Sequence, residues 1–234
     1  LNLLLLSGLT WWMSRQSWVQ ELKPFFWPAL GLKLLLVFVL AVLFHYGLML
    51  GDRSAYHQGS IKLWQYAQQE PEAYLRMLFF NEFASEQVKA SFPFTDYADH
   101  LNSFFFIKLL SLLNFVTGAD YLLNNLYLAL YSFWGSAYLV GGLVRRYPQY
   151  KTAGAIAFLF FPTVLVWSVG LLKDPLMYGS MCWLTGAAVA LAHRQHFGVG
   201  SFLLLPLHLY LFVKIRMTIG RPPDPGWRPQ PWQS

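Results

Sequence analysis

Charge is the scarcest property of this sequence. Only 12% of its 234 residues are Asp, Glu, Lys or Arg, where soluble domains carry about 25%. With 56% hydrophobic residues and a mean hydropathy of +0.39, a soluble chain would leave a large apolar surface, so the composition points to an integral membrane protein. There is one cysteine, Cys182. It excludes an intramolecular disulfide, has no Cys or His companion at zinc-ligand spacing, and reads as a small buried residue. No P-loop, GxGxxG, GxSxG, HExxH or CxxC pattern occurs, which removes the common soluble-enzyme templates. A basic stripe is lacking too. The 17 Lys and Arg are dispersed, and the net charge of +6 suits anionic lipid or a phosphate-bearing substrate rather than nucleic acid.

What is present is a series of long apolar runs. The expected fold is all-α, a polytopic transmembrane helix bundle over residues 1–218. Its spans fall at about 27–50, 121–144, 153–172, 175–192 and 199–213, and an external loop, 51–120, carries amphipathic surface helices. LNLLLLSGLTWW (1–12) is too short to span and lacks a basic n-region. It reads as the remnant of a helix, a weak signal-like segment or an interfacial anchor. Lys33 is near enough to the end of its run to snorkel. Ser132 and Ser136, and Ala153 and Ala157, are small residues four apart, as close helix packing in lipid favours; Pro162 and Pro206 are expected to kink their helices. RRYPQYK (145–151) and HRQH (193–196) are basic short loops and, with Arg15 and Lys23, should be cytoplasmic. FFFIKLLSLLNFV (104–116) then cannot also cross and lies along the outer face, and Asp52 and the Lys173-Asp174 pair share the external side. Five prolines fall in the last 14 residues, so 219–234 is a Pro-rich disordered tail. It reads as a truncation or reading-frame scar, the alternative being a linker or peptide-binding tail.

Few residues are left to carry chemistry. Asp52, in GDRSAYHQG, either caps the helix that follows or serves as a carboxylate at the membrane surface. If 52–60 is helical, Tyr56 shares its face and His57 pairs with Arg53, making Tyr56 and His57 candidate substrate contacts. Asp174 with Pro175 forms a good helix start, but a cap explains nothing about Lys173. A cation beside a helix N-terminus is suited to a phosphate. Asp96, Asp99 and His100, in FTDYADHLN, form an oxygen/nitrogen set that either holds a divalent cation or caps a helix. His45 and His208 sit in apolar helices and read as packed polar residues.

Taken together, GDRSAYH after the first span, the basic turn RRYP and FFPTVLVWSVGLLKDPLMYG resemble the GT-C superfamily of multispanning glycosyltransferases. The likeness is to bacterial members of envelope polysaccharide pathways and covers roughly residues 27–216. Pro162, Thr163, Trp167, Ser168, Gly170, Lys173 and Asp174 match that group's Pro-(Ser/Thr)-…-Trp-Ser-…-Gly-…-Lys-(Asp/Glu) stretch. The resemblance implies a bacterial inner-membrane enzyme with a polyprenyl-phosphate-linked sugar donor and a glycan or lipid acceptor. Asp52 would be the catalytic acid, Lys173 the contact to the donor phosphate with Arg216 as a second candidate, and Asp174 a substrate-binding candidate at the helix start. The sequence departs from the pattern in having Asp52-Arg53 where many members have paired acids, and in having about five spans where the fold normally has more. Two other classes fit the same helices: a flippase or transporter, and a non-catalytic or truncated protein of polysaccharide assembly.

Overall fold

Short turns separate the helices, and several of these turns carry a glycine at positive φ (Gly47, Gly51, Gly118 and Gly170). The computed structural model describes residues 1–48, 51–95, 101–193 and 199–216. Among these there is no strand, so the all-α expectation holds. The elements run α1 (Asn2–Ser14), α2 (Ser17–Gln20), α3 (Lys23–His45), α4 (Asp52–Gln69), α5 (Pro71–Phe80), α6 (Glu86–Ala90), α7 (Leu101–Thr117), α8 (Tyr121–Arg146), α9 (Lys151–Ala155), α10 (Pro162–Trp167), α11 (Asp174–Ala192) and α12 (Val199–Arg216). Three of them, α3, α8 and α11, are long and apolar enough to cross a membrane; Asn102–Thr117 and Phe202–Ile215 are shorter apolar segments. The outward face of α3 carries exposed Leu35, Phe38, Val39 and Val42, a helical stripe of the kind that meets lipid or a partner rather than water.

The bundle is built on α8, which packs against α3 on one side and α11 on the other. The α8–α11 contact is made by glycines. A Cβ placed on Gly135 would lie 2.1 Å from the Gly179 carbonyl oxygen, and one on Gly186 would lie 3.0 Å from the Leu139 Cα. Ser132 and Ser136 are fully enclosed, as their spacing predicted. Ala153 and Ala157, by contrast, face outward, so that small pair is not a helix contact. Cys182 is buried and free. His208 is stacked on Trp183 at 4.2 Å between ring centroids, a packed polar residue.

Residues 153–172 connect the two ends of the bundle, but not as one helix. After α9 comes a π-helical turn, Ile156–Phe160. Phe161 is then extended at φ −63°, ψ 124°, and Pro162 opens α10. Proline forces this break by excluding helical geometry from the residue before it and by lacking the N–H that would bond the carbonyl four residues back. That carbonyl, on Phe158, instead accepts a 2.9 Å bond from the Tyr178 hydroxyl. The kink expected at Pro162 is therefore a full interruption.

Lys33 also departs from expectation. Because α3 begins at Lys23, Lys33 lies roughly 15 Å along the helix, too deep to snorkel toward that end. Its side chain is 3% exposed and Nζ donates to Ser168 Oγ at 2.8 Å. Ser132 Oγ donates to the Ser168 carbonyl at 2.7 Å, so α3 and α8 both hold the residue that starts the turn into α11.

Residues 51–95 and 101–117 form a helical layer at one end of the bundle, with α4 against α7. Lys108 organises its edge. Nζ donates to the Met77 carbonyl, to the Leu78 carbonyl at 3.1 Å and to Asn81 Oδ1 at 2.6 Å. A cation thus closes the C-terminus of α5, where the last carbonyls lack intrahelical partners, and Asn81 takes the left-handed conformation at φ 58°. A second polar chain crosses the layer: Asn114 Nδ2 donates to Ser60 Oγ at 3.2 Å, Asn124 Nδ2 to Asn114 Oδ1 at 2.7 Å, and Thr117 Oγ1 to Asn124 Oδ1 at 2.8 Å.

The first twelve residues belong to a packed helix. Asn2 Nδ2 donates to the Val116 carbonyl at 3.1 Å, Tyr127 Oη donates to Asn2 Oδ1 at 3.1 Å, and Trp12 meets Trp134 edge to face at 6.1 Å. Helix α1 therefore descends alongside α8, and its final turn reaches the end of the bundle where Arg145 donates to Ser17 Oγ at 2.8 Å.

Candidate functional site

Asp52 and Lys173 are 121 positions apart in sequence, and both fall at the end of the bundle opposite Arg145 and Arg146. Arg53 joins the two segments. Gly170, in the turn before α11, has φ +98°, and a Cβ there would come 3.3 Å from Arg53 Nε. The turn thus needs glycine twice, for its left-handed backbone and for the arginine lying on it. Arg53 was legible only as a helical neighbour of His57; the turn it packs against is too remote in sequence to have been inferred.

Neither aspartate is a cap. Gly51 at φ 96° is the N-cap of α4 and Lys173 that of α11, Asp52 and Asp174 are the first helical residues, and no side-chain cap bond is made at either start. Both carboxylates still lie in the first turn, where the helix N-terminus favours negative charge. The capping alternative for these two residues is corrected accordingly. Asp52 is exposed, and Asp174 is half-buried.

Lys173 is half-buried and aims at α7. Nζ donates to Ser103 Oγ at 3.1 Å and to Asn102 Oδ1 at 3.3 Å. Ser103 Oγ also shares a 3.2 Å hydrogen bond with the Tyr56 hydroxyl, and Asn102 Nδ2 donates to the Ile215 carbonyl at 3.2 Å. One connected polar network therefore contains Tyr56 from α4, Asn102 and Ser103 from α7, Lys173 from the turn, and the end of α12. Burial lowers the Lys173 pKa from its ordinary value, opposed by the negative charges of Asp174 and Asp52. Burial raises that of the Tyr56 phenol, with Asp52 and Asp174 acting in the same direction and the Ser103 bond against it. Both carboxylates therefore act on the lysine and the phenol through space.

Of the residues expected at the site, Asp52, Tyr56, Lys173 and Asp174 are brought together. His57 is not among them. It points to the other face of α4, with its ring edge-on to Tyr121 at 5.3 Å and to Phe44 at 5.8 Å. Burial lowers its pKa, and Asp120 opposes that shift. His57 as a contact for the same ligand as Lys173 is thus not what the geometry supports: i and i+1 positions on a helix diverge by about 100°. Arg216 ends α12, one residue beyond the carbonyl bonded by Asn102, and its side chain lies outside the described residues. Asp96, Asp99 and His100 lie outside them as well, and among the described residues no three His, Cys, Asp or Glu side chains group as metal ligands. Asn102 and Ser103 escaped the sequence reading because they open an apolar helix and look like ordinary first-turn residues.

Comparison with protein-family models, with characterised proteins and with solved structures returns no significant match.

Proposed function

We propose that the chain is a multi-pass membrane glycosyltransferase of the bacterial inner membrane, transferring a sugar from a polyprenyl-phosphate-linked donor to an envelope glycan or lipid acceptor at the outer face. The observation that carries this reading is the Lys173 network. A partly buried ammonium, positioned by Ser103 and Asn102, stands at the start of an apolar helix with two carboxylates nearby. The three long apolar helices behind it suit a ligand with a prenyl tail. The basic turn at Arg145 and Arg146 lies at the opposite end, which the positive-inside rule assigns to the cytoplasm.

In this mechanism the acceptor hydroxyl oxygen attacks the anomeric carbon. The bond from that carbon to the phosphate oxygen breaks, and its electron pair leaves with the lipid phosphate. Asp52, exposed in the first turn of α4, takes the hydroxyl proton as general base. Lys173 meets the charge that grows on the leaving phosphate, with the α11 N-terminus aligned behind it. Ser103 and Asn102 hold the ammonium in place, and Tyr56 braces Ser103. A divalent cation is not required by these steps.

The test is sugar transfer from a polyprenyl-phosphate-sugar in reconstituted membranes, with donor binding measured in parallel. Lys173→Gln removes a charge-assisted bond of about 1.5–3 kcal/mol, so donor binding should weaken about tenfold to hundredfold. Asp52→Asn should abolish transfer and spare donor binding. Parental transfer rates in both variants would refute the proposal.

A further inference from the structure

The geometry points to a binding site for an anionic phospholipid of the inner leaflet, in the groove between α1, α3 and α8. It rests on the membrane reading but not on the sugar-transfer chemistry, and it lies away from Lys173. The groove has a cavity volume of about 440 Å³, within the roughly 300–1,000 Å³ typical of small-molecule sites. Its walls are Leu6 of α1, Leu34 of α3 and Leu126 and Leu130 of α8, and Trp11 and Trp27 form the rim. Ser7 and Thr10 keep it open, because short side chains on that face of α1 leave room where leucines would fill it.

Three features of this groove suit a phospholipid better than another protein helix. First, it is a long slot: Leu3 and Ser14 both line it, a separation of roughly 16 Å along α1, the reach of an acyl chain in one leaflet. Second, its two rim tryptophans, 61% and 54% exposed, each have a cation one helical turn nearer the same end of the bundle. Arg15 lies over the Trp11 ring at 5.3 Å, and Lys23 precedes Trp27 by four residues on the same helix face. Tryptophan beside Lys or Arg is the arrangement found where apolar tails give way to headgroups. Third, this end of the bundle is strongly cationic. Arg145, Arg146 and Lys151 join Arg15 and Lys23 there, against Glu21 as the acid of the same turn. A phosphodiester at the mouth would meet Arg15 and Lys23 while one chain ran up the slot toward Leu3.

The test uses the full chain, stripped of lipid in detergent and offered phosphatidylglycerol or phosphatidylcholine of equal chain length, with bound lipid counted by native mass spectrometry. Phosphatidylglycerol should be retained about tenfold better than phosphatidylcholine. Arg15→Gln combined with Lys23→Gln should erase that preference, whereas Lys62→Gln, on α4, should not. Ser7→Phe, which fills the slot, should lose both lipids. Where that variant does not fold, a phosphatidylglycerol with a photoreactive acyl chain takes its place, and its crosslinks to the parental chain should fall within residues 3–14 and 27–34. Equal retention of the two lipids, unchanged retention in Ser7→Phe, or crosslinks scattered over the exposed faces of α3 and α12 would overturn the proposal, the groove then being covered by protein or by bulk lipid.

Discussion

Where α8 meets α11 the two backbones touch; where α4 meets α7 they are joined through side-chain hydrogen bonds. At the first contact the Gly135 Cα faces the Gly179 carbonyl so closely that a methyl group there would lie 2.1 Å from the oxygen. At the second, Tyr56 and Ser103, and Ser60 and Asn114, pair across the interface, and Tyr74 of α5 pairs with Ser111 beside them. The difference follows from what each region has available. Helices α8 and α11 are long and apolar enough to cross a membrane; in lipid such helices gain little from hiding their side chains and associate by dispersion at short range, which small residues make accessible. Helix α4 is too polar to pack in that way. It associates by burying a stripe of Tyr56, Gly59, Leu63 and Ala67 and by matching each enclosed hydroxyl or amide with another. The functional candidate sits on the seam, with Lys173 leaving the glycine-packed bundle to bond into the hydrogen-bonded layer.

The comparison breaks most readily at Gly135. Gly135→Ala should cost about 3 kcal/mol, since overpacking a backbone contact leaves nothing flexible to move, and unfolding in mixed detergent would report it. Gly59→Ala is the matched test in the other layer. Its Cβ would meet Ile107 Cδ1 and Pro93 Cγ at 2.9 Å, both side-chain atoms, so the loss should be clearly smaller. Equal losses would mean that the two interfaces are not packed differently after all.

Next in size is Lys108→Met, which keeps the volume and removes the donor from three acceptors. Leaving enclosed acceptors unmatched costs about 1–3 kcal/mol. The damage should be local, with hydrogen exchange accelerated across residues 71–81 and unchanged in α8 and α11. Uniform acceleration would show that the layer and the bundle unfold as one unit.

The smallest effect sharpens the seam. His57 is enclosed by Phe44 and Tyr121, and burial holds its folded pKa below the ordinary 6.5. The unfolded chain therefore binds the proton first. As pH falls below about 6.5, stability should decline, and the decline should stop once the folded-state pKa is passed. His57→Phe should flatten that part of the profile while leaving the slope above pH 7 unchanged. A profile identical to the parent's would mean that His57 is solvated in the folded protein.

Some of the architecture was legible because it depends on local pattern. The apolar runs gave α8 and α11 nearly to their ends and α3 displaced, expected over 27–50 and found over Lys23–His45; the Ser132 and Ser136 spacing gave one face of α8, and Asp174-Pro175 gave a helix start. Prolines were legible as breaks but not in degree: Pro162 interrupts its segment fully, after a π-helical turn, and Tyr178 is placed to satisfy the released carbonyl. The sites were half legible. Lys173 stood out as a cation that no cap required, and Asp52 as a carboxylate at a helix start, but Asn102, Ser103 and Arg53 gave no local signal.

The amino-acid order alone determined the all-helical class, the long apolar helices and the polarity of the two bundle ends, because periodicity, turn residues and charge act over a few positions. The tertiary structure decided the rest. It turned Lys33 inward to Ser168, brought glycines on α8 and α11 into register and separated His57 from Tyr56. It also gathered Asp52, Tyr56, Ser103 and Lys173 at one end. The physical reason is the same in each case: these outcomes depend on which backbone comes within a few ångströms of which other, and a one-dimensional pattern does not carry that distance.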